Sequence, residues 1–276
     1  MLTTLLCGLG LVTPAIKPAI RIVCCDVDGT LLTPDHTATI CTIDTVLRTM
    51  EHVTFTTCTG RGRTGAYNAL GPIGDALRAS NAPGVFLNGL LVYGPDGEVI
   101  SEQHVETDVV LSVASFADDH GLSLVGFSGE RILCTNSDKW TDLFIEIKEP
   151  EPIAFGVPWS AILATERVNK LILLGEPSKL AGLRPNLEER LGASASLTCA
   201  IPTMLEVLPA GGSKGLGVSA LLERLDIPAE AAMAIGECVD GLPLPACAVI
   251  VAGGLVAAFT CTLVPFTLTR TLALTV

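Results

Sequence analysis

With 276 residues, the chain has room for one large domain or two ordinary ones, and its 49% hydrophobic content supplies a sizeable core. Aromatic residues make up only 4%, so Leu, Val, Ala and Ile must fill that core, a composition that leans toward α/β. The net charge of −12, with no cluster of Lys or Arg, argues against a nucleic-acid-binding face, and an anionic substrate would need local cations to offset the field.

The first twenty residues, MLTTLLCGLGLVTPAIKPAI, are apolar for too short a run to span a bilayer and lack the basic start of a signal peptide. They read as a lead-in to the first strand, with an organellar leader left open. Ile20 and Ile22–Cys25 then form a continuous apolar run, as in a strand buried on both faces of a parallel sheet. A second strand is predicted over 53–58, closed by Thr59-Gly60-Arg61, with a helical stretch running on to Pro83-Gly84. A strand and hairpin follow, turning at Pro95-Asp96-Gly97 between Leu91/Tyr93 and Val99.

Thr107-Asp108 can cap a helix that Gly121 ends, and a hairpin turns at Ser128-Gly129-Glu130. In NSDKWTDLFIEIK, a helix capped by Asn136 or Ser137 would put Trp140, Leu143, Phe144 and Ile147 on one face. VNKLILLG is a strand, Ser178 opens a helix interrupted by Pro185, and SLTCA and MLEVLP are short strands. After residue 205 the β/α alternation returns: a loop and helix in LPAGGSKGLGVSALLERLDI, then strands in AAMAIGE and CAVIVAGG. The expected architecture is therefore α/β, with a Rossmann-like parallel-sheet core over 1–88 and 205–276 and an inserted α+β module over 89–204. Residues 246–269 carry no charge and are long enough to span a bilayer, but Pro265, paired glycines and many threonines favour buried strand and loop. Ten cysteines without a CxxC pair, and four scattered histidines, match no zinc pattern; the cysteines read as small buried residues of a reducing compartment, and the chain as a cytoplasmic protein free of membranes.

One short stretch carries chemistry. In CCDVDGTLL, Asp26 and Asp28 follow the first strand, at the carboxyl edge where open α/β sheets bind ligands. The spacing fails as a calcium loop, because glycine stands at position 4 rather than 6 and Thr37 stands at position 12. Nucleophilic chemistry fits: Asp26 attacks phosphorus, Asp28 serves as general acid and base, and Gly29 lets the backbone approach phosphate oxygens. A divalent cation such as Mg²⁺ would offset the repulsion between the two acids. Such a site also calls for a hydroxyl donor, a cation and a further metal carboxylate. Thr59, Lys214, and Glu237 with Asp240 stand at strand ends or helix starts in the right order, although singly they read as a helix cap, a solvated lysine and loop acids.

Together these motifs resemble the haloacid dehalogenase superfamily, in particular its Cof-type phosphatases with a large inserted cap. DVDGTLL, TCTGR, the Asn-Gly hairpin FLNGLLVYGPDGEVI, the GGSKG segment and AMAIGECVDGLPL carry the likeness over residues 20 to 245. The resemblance implies Asp26 as nucleophile, Asp28 as acid/base, Thr59 and Lys214 as phosphate holders, and Gly29, Gly60, Arg61 and Asn88 close to the substrate. It implies Mg²⁺ held by Asp26, the Asp28 backbone carbonyl, Glu237 and Asp240, and a cap that selects the substrate. The fourth motif departs from the family's Gly-Asp-x-x-Asn-Asp: Glu237 stands for the metal aspartate, Asp240 for the asparagine and Gly241 for the second aspartate. The expected activity is a Mg²⁺-dependent phosphatase of small phosphorylated metabolites. A catalytically impaired binding relative is the alternative, and a phosphomutase ranks lower because no extra basic cluster is present for a second phosphate.

Overall fold

The computed structural model describes residues 19–236 and the backbones of two strands, 248–252 and 255–258. The strands are β1 (Ile22–Cys25), β2 (Thr54–Cys58), β3 (Gly84–Phe86), β4 (Leu91–Tyr93), β5 (Val99–Glu102), β6 (Ser123–Ser128), β7 (Arg131–Cys134), β8 (Ile153–Ala154), β9 (Lys170–Leu174), β10 (Ala195–Ile201), β11 (Met204–Pro209), β12 (Ala232–Ile235), β13 (Ala248–Ala252) and β14 (Leu255–Ala258). The helices are α1 (Ile40–Met50), α2 (Arg63–Leu70), α3 (Pro72–Ala79), α4 (Thr107–His120), α5 (Leu143–Glu146), α6 (Trp159–Ile162), α7 (Pro177–Leu191) and α8 (Lys214–Arg224).

Two sheets organise them. The larger runs β14-β13-β12-β1-β2-β3-β4-β5, with β13, β12, β1, β2 and β3 mutually parallel and the outer strands antiparallel. This is the expected α/β, Rossmann-like arrangement. β1 lies in its middle and all four of its residues are buried, which is why the sequence shows an unbroken apolar run there. The smaller sheet runs β10-β11-β9-β6-β7-β8 and is antiparallel except for the β7–β8 pair. Its strands and α4 and α7 enclose a second core of Val110, Val113, Leu171, Leu173 and Val207.

The hairpin β4–β5 adds to the larger sheet, while β11 pairs with β9 and β10 in the smaller one. The expected helix after β2 is two helices: Gly71, at φ 57° and followed by Pro72, breaks it. In NSDKWTDLFIEIK only Leu143–Glu146 is helical, with Asp142 at its N-cap in place of Asn136 or Ser137; Asp138 Oδ1 accepts from the Trp140 and Thr141 amides in the turn before it. Phe144 still packs inward as expected. Pro177 rather than Ser178 opens α7. Helix α1, capped by the Thr39 hydroxyl, is not among the expected elements; its Ile43, Val46 and Met50, at helical spacing, face the core. Of the cysteines, Cys24, Cys25, Cys58 and Cys134 are buried as expected, whereas Cys41 and Cys199 are exposed.

Candidate active site

The parallel register puts β1 and β2 side by side with Cys25 opposite Thr57, so Asp26 and Thr59 leave the same edge of the sheet. The Asp26 amide donates to the Ile235 carbonyl (2.8 Å), and its Oδ1 accepts from the Val27 amide (2.8 Å). The chain then turns over 27–31, with Gly29 at φ 70°, a left-handed conformation that favours glycine. Helix α8 starts at the same edge. Ser213 caps it by accepting from the Leu216 amide, and Gly89 lets it come close: a Cβ there would lie 2.0 Å from the Ser213 carbonyl oxygen. From this helix start, Lys214 Nζ reaches Asp26 Oδ2 at 2.6 Å.

Asp28 faces a different cation. Arg61 Nε and one terminal nitrogen donate to its two carboxylate oxygens at 2.7 and 2.8 Å, a bidentate fork. The mutual repulsion of the two acids is thus offset by two separate side chains, Lys214 and Arg61. His36, in a left-handed turn (φ 53°), brings Nδ1 to 3.6 Å from Asp28. Thr59 is buried, and its hydroxyl oxygen accepts from the Arg61 amide at 3.2 Å, which leaves the hydroxyl proton available to a ligand. Asn88, at φ 61°, donates its amide to the Thr59 carbonyl, and its side chain lies against Gly60.

A second set of charges lies where the smaller sheet meets this edge. Arg61 also donates to the Ile147 carbonyl (2.5 Å) and lies 4.0 Å from Glu149. Burial, opposed by Arg61 and Lys170, pushes the Glu149 carboxyl up to about 7. Arg61 itself loses basicity through burial, but its hydrogen bonds and charge pairing with Asp28 and Glu149 more than reverse this. Lys170 Nζ donates to the Gly60 carbonyl (2.7 Å) and to Asn88 Oδ1 (3.2 Å), and lies 3.2 Å from Glu206 Oε2 at an angle short of a hydrogen bond. Glu130 accepts from Arg63, Tyr93 and the amide and hydroxyl of Thr64, tying the β6–β7 turn to the start of α2.

The structure therefore brings together Asp26, Asp28, Gly29, Thr59, Gly60, Arg61, Asn88 and Lys214. Glu237 and Asp240 lie outside the described residues. Among the described residues no three His, Cys, Asp or Glu side chains gather as a metal site. The oxygens present suit Mg²⁺ in kind: a carboxylate on Asp26 and the Asp28 carbonyl are hard donors. The chain also heads toward Glu237 from beside Asp26, since a Cβ on Gly236 would lie 3.0 Å from the Asp26 Cβ. Sequence reasoning did not reach His36, Glu149, Lys170 or Glu206. For the last two a signal existed, one charge inside each of two otherwise apolar strands, which demands a partner.

Comparison with known proteins shows the family. Residues 23–238 match the model of the haloacid dehalogenase-like hydrolases. The chain belongs to that family. A haloacid dehalogenase-like hydrolase from Bacteroides thetaiotaomicron is similar in structure, with a TM-score of 0.70 and 24% identity over 79% of this chain and 82% of that one. A HAD/COF-like hydrolase from Plasmodium vivax has a TM-score of 0.70 and 25% identity over 79% of each chain. A HAD subclass IIB sugar phosphatase has a TM-score of 0.64 and 16% identity over 83% of this chain and 86% of that one, a likeness of fold. In sequence, the chain is 28% identical over 189 residues to an Arabidopsis thaliana protein named as a chloroplastic endoribonuclease; the match covers 65% of this chain and 32% of that protein, about a third of its length. Among the described residues no helix is long and apolar enough to cross a membrane.

Proposed function

We propose that this hydrolase is a Mg²⁺-dependent phosphatase of small phosphorylated metabolites, sugar phosphates among them, and that it works through an aspartyl-phosphate on Asp26. The observation that carries the reading is the convergence of Lys214 on Asp26 at 2.6 Å, with Thr59 leaving the neighbouring strand at the same edge. In the first step an Asp26 oxygen bonds to phosphorus as the ester P–O bond breaks, and the Asp28 carboxylic acid gives its proton to the leaving oxygen. In the second, Asp28 takes a proton from water as that water's oxygen attacks phosphorus, freeing Asp26 and inorganic phosphate. Lys214 and Thr59 hold the phosphoryl oxygens throughout. Asp26, the Asp28 carbonyl, Glu237 and Asp240 would hold Mg²⁺, which supplies charge neutralisation for the carboxylate and the phosphate.

Arg61 adds a gating element to this scheme. Its fork occupies both Asp28 oxygens, so Asp28 transfers a proton only after that fork opens. An incoming phosphate ester offers Arg61 a competing anion and thereby frees the acid. The smaller sheet, packed over the edge, fits a cap that excludes water and selects the substrate. An RNA substrate has little support, given the net charge of −12. Four buried thiols fit a reducing, cytoplasmic setting.

The experiment is hydrolysis of p-nitrophenyl phosphate with Mg²⁺ by the wild type and by Asp26→Asn. Turnover by the wild type and its loss in the variant support the reading, and equal rates overturn it. Binding of phosphate or metal by the wild type without turnover would replace it with a binding relative.

A further inference from the structure

Lys170 is the least explained charge in the molecule. It opens β9 in the smaller sheet, is 2% exposed, and sits in a strand with every residue buried. A buried ammonium needs acceptors for its three protons. It finds two, the Gly60 carbonyl and Asn88 Oδ1, and pairs in charge with the Glu206 carboxylate at 3.2 Å, with the Phe127 ring centroid 5.0 Å away. The first two acceptors belong to the loops of the larger sheet that carry Thr59, Arg61 and Asn88.

Those loops need a holder. Leu87 and Asn88 both have positive φ, 51° and 61°, which side-chain-bearing residues adopt rarely. The loops bond to each other through the Leu87 amide on the Arg61 carbonyl and the Asn88 amide on the Thr59 carbonyl, each at 3.0 Å. Between those two bonds stands the Gly60 carbonyl, taken by Lys170. The same ammonium fixes the Asn88 side chain against Gly60, where a Cβ would come within 3.2 Å of Asn88 Oδ1.

We propose that Lys170 is a positioning residue: its buried ammonium, delivered by the smaller sheet, locks the Thr59–Arg61 turn and Asn88 in the shape that aims the Thr59 hydroxyl at the reaction edge. The inference rests on reading that edge as the phosphoryl-transfer site. The competing account gives Lys170 a purely structural role, neutralising Glu206.

The two accounts part in a cycle of Lys170→Met, Glu206→Gln and the double variant. Lys170→Met alone leaves Glu206 buried and uncompensated, so a loss of stability is expected on either account. The double variant removes both charges. If Lys170 positions the turn, the double variant regains the wild-type melting temperature while kcat for p-nitrophenyl phosphate with Mg²⁺ stays down about 100-fold. Amide hydrogen exchange at Leu87 and Asn88 is then faster than in the wild type, and Glu206→Gln alone keeps both kcat and protection. Recovery of kcat and protection together with stability would overturn the proposal. Should the double variant not fold, Lys170→Arg decides. It keeps the charge beside Glu206 but replaces a point donor with a planar fork, so reduced kcat and reduced protection are expected, and wild-type values of both would overturn the proposal. A wild type without phosphatase activity would remove the functional reading, and Lys170 would then stand or fall on the exchange at Leu87 and Asn88 alone.

Discussion

The reaction edge and the seam with the smaller sheet treat charge in opposite ways. At the edge, Asp26 and Lys214 keep 17% and 26% of their side chains in solvent and Asp28 keeps 44%. At the seam, Arg61, Glu149 and Lys170 keep 6%, 3% and 2%. A charge within reach of water can exchange its partner for a ligand at little cost, because high dielectric weakens each pair. A charge buried in a network cannot, because removing any member strands another. On the proposed function, the edge would meet a substrate and the seam would hold a shape. Arg61 belongs to both, with its fork on the half-exposed Asp28 and its remaining contacts among buried groups.

That contrast breaks if edge substitutions cost stability or seam substitutions do not. The largest effect is expected at Lys214. Lys214→Met should lower kcat/KM for p-nitrophenyl phosphate by about 10³-fold, the size expected when a charged donor to the transition state is lost, while denaturant midpoints move little. Arg61→Met should do the reverse in emphasis, lowering unfolding free energy by about 2–3 kcal/mol in urea titrations. Most of that loss would come from Glu149 left buried without its cation, since the half-exposed Asp28 pair is screened by solvent.

The seam can also be read by pH. The folded state holds the Glu149 proton up to about 7, against 4.5 for an ordinary glutamate. Between those values this carboxyl binds a proton in the folded protein and not in the unfolded chain, so its contribution to stability is full below 4.5 and is lost as pH rises through 7. Unfolding curves at pH 5 and pH 8 should show a contribution from this group on the order of 3 kcal/mol, and Glu149→Gln should flatten that slope. The smallest effect is expected at Ser213. Ser213→Ala removes the cap that starts α8 and should cost about 1 kcal/mol of stability, read as a small drop in melting temperature.

The same contrast explains what the sequence disclosed. Asp26, Thr59 and Lys214 stood out in the sequence because each sits at a junction that local pattern marks: the end of an apolar strand, the Thr-Gly-Arg close of a threonine-rich strand, and a glycine-rich helix start. The parallel sheet was legible from the unbroken apolar run of β1 and from the return of β/α alternation after residue 205. The seam was not, because its pairs join residues far apart in the chain: Lys170 with Gly60 and Asn88, and Arg61 with Ile147 and Glu149. No local period encodes such pairings. Helix α1 was also missed, although Ile43, Val46, Leu47 and Met50 stand at helical spacing and Ile43 and Met50 pack beside Val46 against the core, so its signal was present and overlooked. Sheet membership was not legible either, because β4–β5 and β11 read alike as short strands and only their partners separate them. Glu237 and Asp240 fall outside the described residues, so the altered fourth motif retains the weight the sequence gives it.

The central claim is that an Asp26 oxygen becomes bonded to phosphorus during turnover. Borohydride trapping tests it most directly: reduction of an aspartyl-phosphate yields homoserine, a change that mass spectrometry locates in the peptide holding residues 22–48. Protein quenched during turnover of p-nitrophenyl phosphate with Mg²⁺ should carry homoserine at position 26, and protein quenched without the ester should not. Phosphate release at the wild-type rate with position 26 unmodified throughout would contradict the account.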